Sequence, residues 1–498
     1  MRRSLTILLL CCSLGSFALV PPRDPSKWTE WQVQHIQTEQ STFHVNRLPA
    51  ATQAVGTRTI IPRILVIMAN FPDEHEQLIS SKADVDSMFN ARNWTKDGAT
   101  GSIRQYFYDQ SMGTYDPQFD IVGPVMLDSS YTFYGKGENG SRYAGYMVTE
   151  ACMKVDNEVD FTLYDSDNDG KVDLVYVFFA GFGENDPPRL EPTLVKSVEN
   201  LIWPAYWNVN SAGYGTNKCV FDGKRIYAFE YSNELDGYYS TSDNLLIAGI
   251  GVACHEYGHA LGLPDMYNYS HNKKTLGAWD IMDYGPYNND MHTPPSFSAY
   301  ERFFMGWLTP ELITEADTYE LENIAVSNKA YLVSESDTHN MNGVNPDPNQ
   351  FYLLENRQRT GWDIAIPGDG MMLTYINDPA KRWNSINRYP ADYGIDIIEA
   401  DGLQPTYIEK VDNGYKGKPG DLFPEGATEY TGITDHAITD ITMTDGVVSF
   451  KYRGGKPTDP TSIEAPVTNP LSTYKTIRNG QLLIHANGQT YNIYGIQQ

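Results

Sequence analysis

Cysteine is scarce in this chain: 498 residues hold five, and Cys11 and Cys12 already account for two of them. The other three, Cys152, Cys219 and Cys254, are an odd number, so no disulfide framework can be read as the basis of the fold, although one pair stays open. Basic residues are also few, with 37 Lys and Arg against 63 Asp and Glu and a formal net charge of -26. A surface of that sign repels nucleic-acid phosphates and anionic lipid, which argues against both as partners. Beyond the N-terminus no apolar run approaches the roughly 20 residues of a membrane-spanning helix, so the chain does not read as transmembrane. What is present is 41% hydrophobic residues with 41 glycines and 29 prolines, the composition of a folded, loop-rich protein. Its length exceeds what one hydrophobic core usually serves, and two or more globular units are expected.

The opening "MRRSLTILLLCCSLGSFALVPP" has Arg2 and Arg3, an apolar run from Leu5, and small residues at Ser16 and Ala18. That pattern predicts a secretory signal over 1–18 and a secreted or cell-surface protein. Residues 19–57 are polar and weakly periodic and read as an N-terminal segment or short prosegment. A globular domain is expected over 58–311, starting with the strand-like "RILVIMANFPDE" at Arg63. Ser102 and Gln105 are spaced as a capping box for a short helix ending at Met112-Gly113. Arg142 to Val155 reads as an amphipathic helix, Val172 to Ala180 as a buried strand, and Asn244 to Leu261 as a longer helix capped near Asp243. From 312 to 453 the texture changes to short strands, among them "FYLLENR" and "GVVSFKYRG". Prolines at 457, 460, 466 and 470 mark a linker over 454–473. The tail 474–498 carries Asn-Gly pairs at 479–480 and 487–488, spaced to join three short strands. The fold class is α+β: a mixed sheet with a functional helix, then a β-rich domain and a short β tail.

The most explicit stretch is "VACHEYGHALGLPDMYNY", Val252 to Tyr269. On a helix, residues four apart share a face, so His255 and His259 can aim at one metal. Glu256 is then turned to the substrate side, where a carboxylate can take a proton from a metal-activated water. A catalytic zinc takes three protein ligands, so a third is required. Gly262 lets the helix stop and turn, and Asp265 follows three residues later as the best candidate. His271, Asp280 and Asp283 are fallback ligands if the turn runs otherwise. Further on, "WDIMDYGPYN" places Met282 in a compact turn with Tyr284 two residues on. This is similar to the Met-turn of metzincins, with Met282 as a hydrophobic floor under the metal and Tyr284 as an oxyanion stabiliser or a cap on the vacant position.

Together with "ILVIMANFPD", "DSDNDGKVDLVYVFFAG" and "YLLENRQRTGWDIAIPGDGMMLTYIND", these motifs resemble the immune inhibitor A-like family of secreted bacterial metallopeptidases, over roughly residues 60 to 453. The resemblance implies a metzincin-like catalytic domain, one Zn2+ and endopeptidase activity, with His255, His259 and Asp265 around the metal and Glu256 as the general base. Protein or peptide substrates are then expected to lie extended along an edge strand.

Two further motifs stand outside that centre. "DSDNDGKVD" spaces Asp165, Asp167, Asp169, Lys171 (through its carbonyl) and Asp173 like the first nine places of an EF-hand loop, which suits a structural Ca2+. Its twelfth place is Tyr176 and not glutamate, and the competing reading is a turn satisfied by its own amides. The C-terminal tail resembles sorting signals of type nine secretion, which makes secretion machinery a candidate partner. Rival readings of the whole are a non-catalytic surface binder, suggested by 34 tyrosines, and a zinc hydrolase acting on non-protein substrates.

Overall fold

Along the run Arg63–Asn70, successive side chains enter two different cores, and this alternation organises the N-terminal part of the fold. The computed structural model describes residues 18–24, 62–73, 77–135, 140–209, 219–268, 274–379, 383, 386–387, 393–403, 416–455, 474–478, 481–486 and 489–492. Its main sheet has six strands in the order β1 (Ala18–Leu19), β6 (Ala205–Asn208), β9 (Ala228–Leu235), β5 (Val175–Phe182), β2 (Arg63–Asn70) and β3 (Gln118–Met126). The last four of these are mutually parallel, whereas β6 runs antiparallel to β9 and β1 antiparallel to β6. Strands β5 and β9 are buried along their whole length, as expected of a parallel sheet covered on both faces.

Ile64, Val66 and Met68 face one core together with Ala253, Cys254 and Tyr257 of the helix Gly251–Ala260. On the opposite face Leu65, Ile67 and Ala69 meet Met147, Val148 and Ala151 of the helix Gly140–Val155. The three cysteines are free and buried. A small sheet of β4 (Lys171–Val172), β8 (Lys224–Ile226) and β7 (Val220–Phe221) is tied to the Asp-rich loop, with Arg225 N donating to Gly170 O at 2.9 Å. Ser102 caps its helix by accepting from Gln105 N at 3.1 Å. The reciprocal half of the box does not form, because the Gln105 side chain accepts from Asn93 N instead.

The expected helix start at Asn244 is displaced to Gly251. Residues 246–248 are drawn into pairing with the end of β9: Asp236 N donates to Leu246 O and Ala248 N to Glu234 O. Long-range strand pairing thus overrides the local helical pattern, and no side chain caps the shortened helix. Gly251 then allows a close crossing, since a Cβ there would fall 1.9 Å from Pro286 O.

C-terminal to the helix Ala299–Met305, a five-stranded sheet forms in the order β10 (Glu311–Leu312), β12 (Tyr331–Val333), β13 (Gln350–Arg357), β14 (Gly370–Asn377) and β15 (Ile395–Ile397). Beside it in the chain are β11 (Asp317–Leu321), β17 (Val447–Tyr452) and β16 (Ile438–Thr444), a three-stranded sheet. Side chains from both sides of the expected boundary at 311–312 share one core, as in the Phe304–Trp383 stack with centroids 4.0 Å apart. Trp383 Nε1 also donates to Gly262 O at 2.9 Å, bracing the turn after the motif helix. Residues up to Arg453 form one compact unit and Gly454–Gln498 a second. In the second unit β18 (Tyr474–Arg478), β19 (Gln481–Ala486) and β20 (Gln489–Asn492) pair as an antiparallel meander, and the Asn-Gly pairs between them lie outside the described residues. Among the described residues no helix is long and apolar enough to cross a membrane.

Candidate metal centre and cleft

His255 and His259 present their rings from adjacent turns of the motif helix, with Nε2 atoms 3.2 Å apart. Asp265 Oδ1 lies 3.3 Å from each of them, so the three atoms make a nearly equilateral triangle. Ligands about 2.0–2.1 Å from a tetrahedral zinc are roughly 3.3–3.4 Å from one another, and the triangle fits that edge length. The tautomers fit as well. His255 Nδ1 is 2.8 Å from Ile281 O and His259 Nδ1 is 2.8 Å from Leu263 O, so each ring donates there and keeps its Nε2 lone pair for the centre. Burial pushes the His255 imidazole pKa down, which favours the neutral ligand form. Gly262, at φ 94°, makes the turn that returns Asp265 to the helix.

The segment around Met282 lies directly against this helix. A Cβ on Gly258, between the two histidines, would fall 2.5 Å from Met282 Sδ. Ile281 supplies the carbonyl that orients His255, and Met282 O accepts from Met266 N at 2.8 Å. The fallback ligands Asp280 and Asp283 have other work: Asp280 Oδ1 accepts from Met282 N, and Asp283 Oδ2 accepts from Thr275 Oγ1, Leu276 N and Gly277 N. His271 lies outside the described residues.

Glu256 is fully buried and clasped by two main-chain amides. Tyr206 N, on strand β6, donates to Oε2 at 2.7 Å, and Val20 N donates to Oε1 at 3.0 Å. Burial, followed by the charge of Asp265, raises its pKa well above the usual carboxylate value, and the two amides offset part of this. The second amide belongs to the N-terminal segment, whose Ala18 and Leu19 extend the sheet antiparallel to edge strand β6. Trp203 Nε1 donates to Val20 O at 3.2 Å, Tyr287 Oη to Pro21 O and Tyr284 Oη to Arg23 O. Tyr284, expected as an oxyanion stabiliser or metal cap, here holds the inserted main chain through its hydroxyl. Residues 18–24 lie along the cleft as an extended peptide would.

Comparison with known proteins gives this geometry a context. The catalytic-domain profile of immune inhibitor A peptidase M6 matches residues 54–308, about half of the chain. The chain belongs to the immune inhibitor A peptidase M6 family. It is 26% identical over 335 residues to immune inhibitor A of Bacillus thuringiensis subsp. alesti, covering 57% of this chain and 45% of that protein. It is also 24% identical over 288 residues to the pre-pro-metalloprotease PrtV of Vibrio cholerae serotype O1 (strain M66-2), covering 49% of this chain and 29% of that protein. The aligned stretch thus spans less than half the length of these curated relatives.

In this M6 chain the Asp-rich loop gathers Asp165, Asp167 and Asp169 with carboxylate oxygens within 4.8 Å of one another. Their oxygens face donors already. Asp165 accepts from the backbone of Asp169 and Gly170 and, at 2.5 Å, from the Lys224 ammonium, while Lys171 pairs with Asp169. Asp173 accepts from Ser166 N, and burial pushes its carboxyl up to about 6. Sequence reading missed Tyr206, Tyr287 and the whole Val20–Arg23 insertion. Pro21 and Pro22, which favour an extended chain, were the local signal for the last of these.

Proposed function

We propose that the chain is a zinc-dependent endopeptidase built on a metzincin-like catalytic domain. The observation that carries this is the 3.2–3.3 Å triangle of His255 Nε2, His259 Nε2 and Asp265 Oδ1. Three lone-pair donors that converge in a buried site repel one another unless a cation lies between them. Zinc, once held by these residues, supplies Lewis acidity toward the scissile carbonyl and acidifies water.

The remaining chemistry belongs to the chain. Glu256 takes the proton of the attacking water and hands it to the departing amine, a role in which a raised carboxyl pKa eases both transfers. An amide nitrogen, that of Val20, already lies at proton-transfer distance from its Oε1, which supports that assignment. Tyr206 N keeps the carboxyl aimed, and edge strand β6 holds the substrate backbone by antiparallel pairing, as it does with Ala18 and Leu19. Met282 packs under the helix between the ligands and fixes their spacing. Tyr284 and Tyr287 donate hydroxyls to carbonyls in the cleft, which suits them to hold substrate main chain.

The leader-like residues 1–18 support export from the cell, and the β tail supports recognition by secretion machinery. The loop of Asp165, Asp167, Asp169, Lys171 and Asp173 fits calcium less well than the triad fits zinc, because Lys224 occupies Asp165.

The test is casein cleavage by wild type and Glu256→Gln at matched zinc content, each as the full chain and trimmed of residues 19–57. The variant should lose at least about 100-fold in rate. Equal cleavage by both would overturn the reading.

A further inference from the structure

The most elaborate polar contact in the cleft is made by a residue that plays no part in the chemistry above. Arg23 is 7% exposed, and its guanidinium reaches three carboxylates from three separate loops. Nη1 donates to both oxygens of Asp186, at 3.1 and 3.2 Å, and to Asp236 Oδ2 at 2.8 Å; Nη2 donates to Asp290 Oδ1 at 2.9 Å. Asp186 follows strand β5, Asp236 follows β9, and Asp290 lies in the left-handed run Asn289–Met291. The guanidinium carbon sits 4.4 Å from the ring centroid of Tyr238 and 5.5 Å from that of Tyr239, both within cation-π range. The main chain of Arg23 is held too, through its N–H to Asn185 O at 2.9 Å and its carbonyl to Tyr284.

Two features distinguish this pocket from a chance acidic cluster. Its carboxylates are fixed by the protein's own backbone as well as by Arg23: Gly237 N donates to Asp186 at 3.0 Å and Tyr239 N to Asp236 at 2.9 Å. Gly237 makes that approach possible, because a Cβ there would fall 1.9 Å from Asp186 O. Secondly, Asp186 and Asp236 are almost wholly buried, and adjacent buried carboxylates need a cation of matching shape. Two other cations lie nearby: Arg189, whose guanidinium carbon is 4.3 Å from the Tyr238 centroid and leaves the carboxylates to Arg23, and Lys416, whose pKa is lowered by burial first and then by Arg23.

The inserted segment also supplies a register. Ala18 and Leu19 pair with the edge strand, and the Val20 nitrogen touches Glu256, where a departing amine would be. We infer that Asp186, Asp236, Asp290, Tyr238 and Tyr239 form a substrate pocket selecting arginine at the fourth residue on the released side of the cleaved bond. Arg23 occupies it as a substrate side chain would. This inference rests on the endopeptidase reading for its meaning, but the pocket can be probed without catalysis.

The first experiment measures binding of labelled peptides LVPPRD and LVPPQD to the full-length, zinc-loaded chain carrying Glu256→Gln and Arg23→Ala. The arginine peptide should bind at least about tenfold more tightly, and adding Asp236→Asn should erase the difference. Equal affinities, or a preference that survives Asp236→Asn, would overturn the pocket. Should Arg23→Ala leave its buried acids unpaired and fail to fold, Asp290→Asn in the otherwise native chain replaces it, since that rim carboxylate is about half exposed. Cleavage of longer peptides with arginine or glutamine at the fourth released position is then compared, and the arginine preference should fall several-fold in the variant. An enzyme that cleaves casein but shows no arginine preference contradicts the pocket alone. Arginine-selective binding without any casein cleavage contradicts the endopeptidase reading alone.

Discussion

Asp265 meets two imidazole nitrogens at 3.3 Å, whereas Asp165 meets two backbone N–H groups and the Lys224 ammonium. Both carboxylates stand in motifs whose spacing suggests a metal, yet their surroundings differ in kind. At the histidine centre two imidazole nitrogens and a carboxylate oxygen converge, an arrangement that suits a cation. In the Asp-rich loop, acceptors face donors, and the loop is closed without one. Ligand spacing in a sequence shows which atoms can converge; the protons already committed to those atoms decide whether a metal is required.

Several perturbations would sharpen or break this contrast. The largest effect is expected from Gly258→Ala, which presses a methyl against the fully buried Met282 between the two histidines. Overpacking there should cost about 1–3 kcal/mol of stability and weaken zinc binding, read by chemical denaturation and by metal titration. A stable variant with native zinc affinity would remove Met282 from the account of the centre. A smaller effect is expected at the Asp-rich loop. Millimolar calcium should raise the melting temperature of wild type by less than about 2 °C, and that of Lys224→Ala by more, because the ammonium no longer competes for Asp165. A large calcium shift in wild type would show that the lysine is readily displaced and that the two centres are alike.

The smallest effect concerns Glu184, two residues past the end of β5, whose carboxyl is pushed up to about 8 by burial and then by Glu199. The folded chain keeps a proton there that the unfolded chain releases near its ordinary 4.5, so Glu184 stabilises at low pH. That contribution is lost as pH rises through the window from about 4.5 to 8. Glu184→Gln should flatten the fall in melting temperature between pH 5 and pH 8 by about 1–3 °C. An identical pH slope in both proteins would remove Glu184 from the stability account.

The convergence of His255, His259 and Asp265 was legible because its information is local: a helix repeat places His255 over His259, and one glycine turn returns Asp265. Strands β2, β5, β13 and β17 were legible for a similar reason, each being an apolar run bounded by turn residues. The start of the motif helix was not. Residues 246–248 have helical spacing, but β9 recruits their backbone, and no local pattern records an offer from a distant strand. The arginine pocket was hidden for the same reason, since Asp186, Asp236 and Asp290 come together only through the order of strands in the sheet. Sequence reading placed Val20–Arg23 in an N-terminal segment or short prosegment without assigning those residues a contact, where the structure sets the Val20 amide on Glu256.

The most direct test of the central claim is a zinc titration of wild type and Asp265→Ala in competition with a chelator of known affinity. The account predicts one tightly bound zinc in wild type, and binding at least about 100-fold weaker in the variant. Unchanged affinity in Asp265→Ala would contradict it, because the triangle that identifies the centre would then not be what holds the metal.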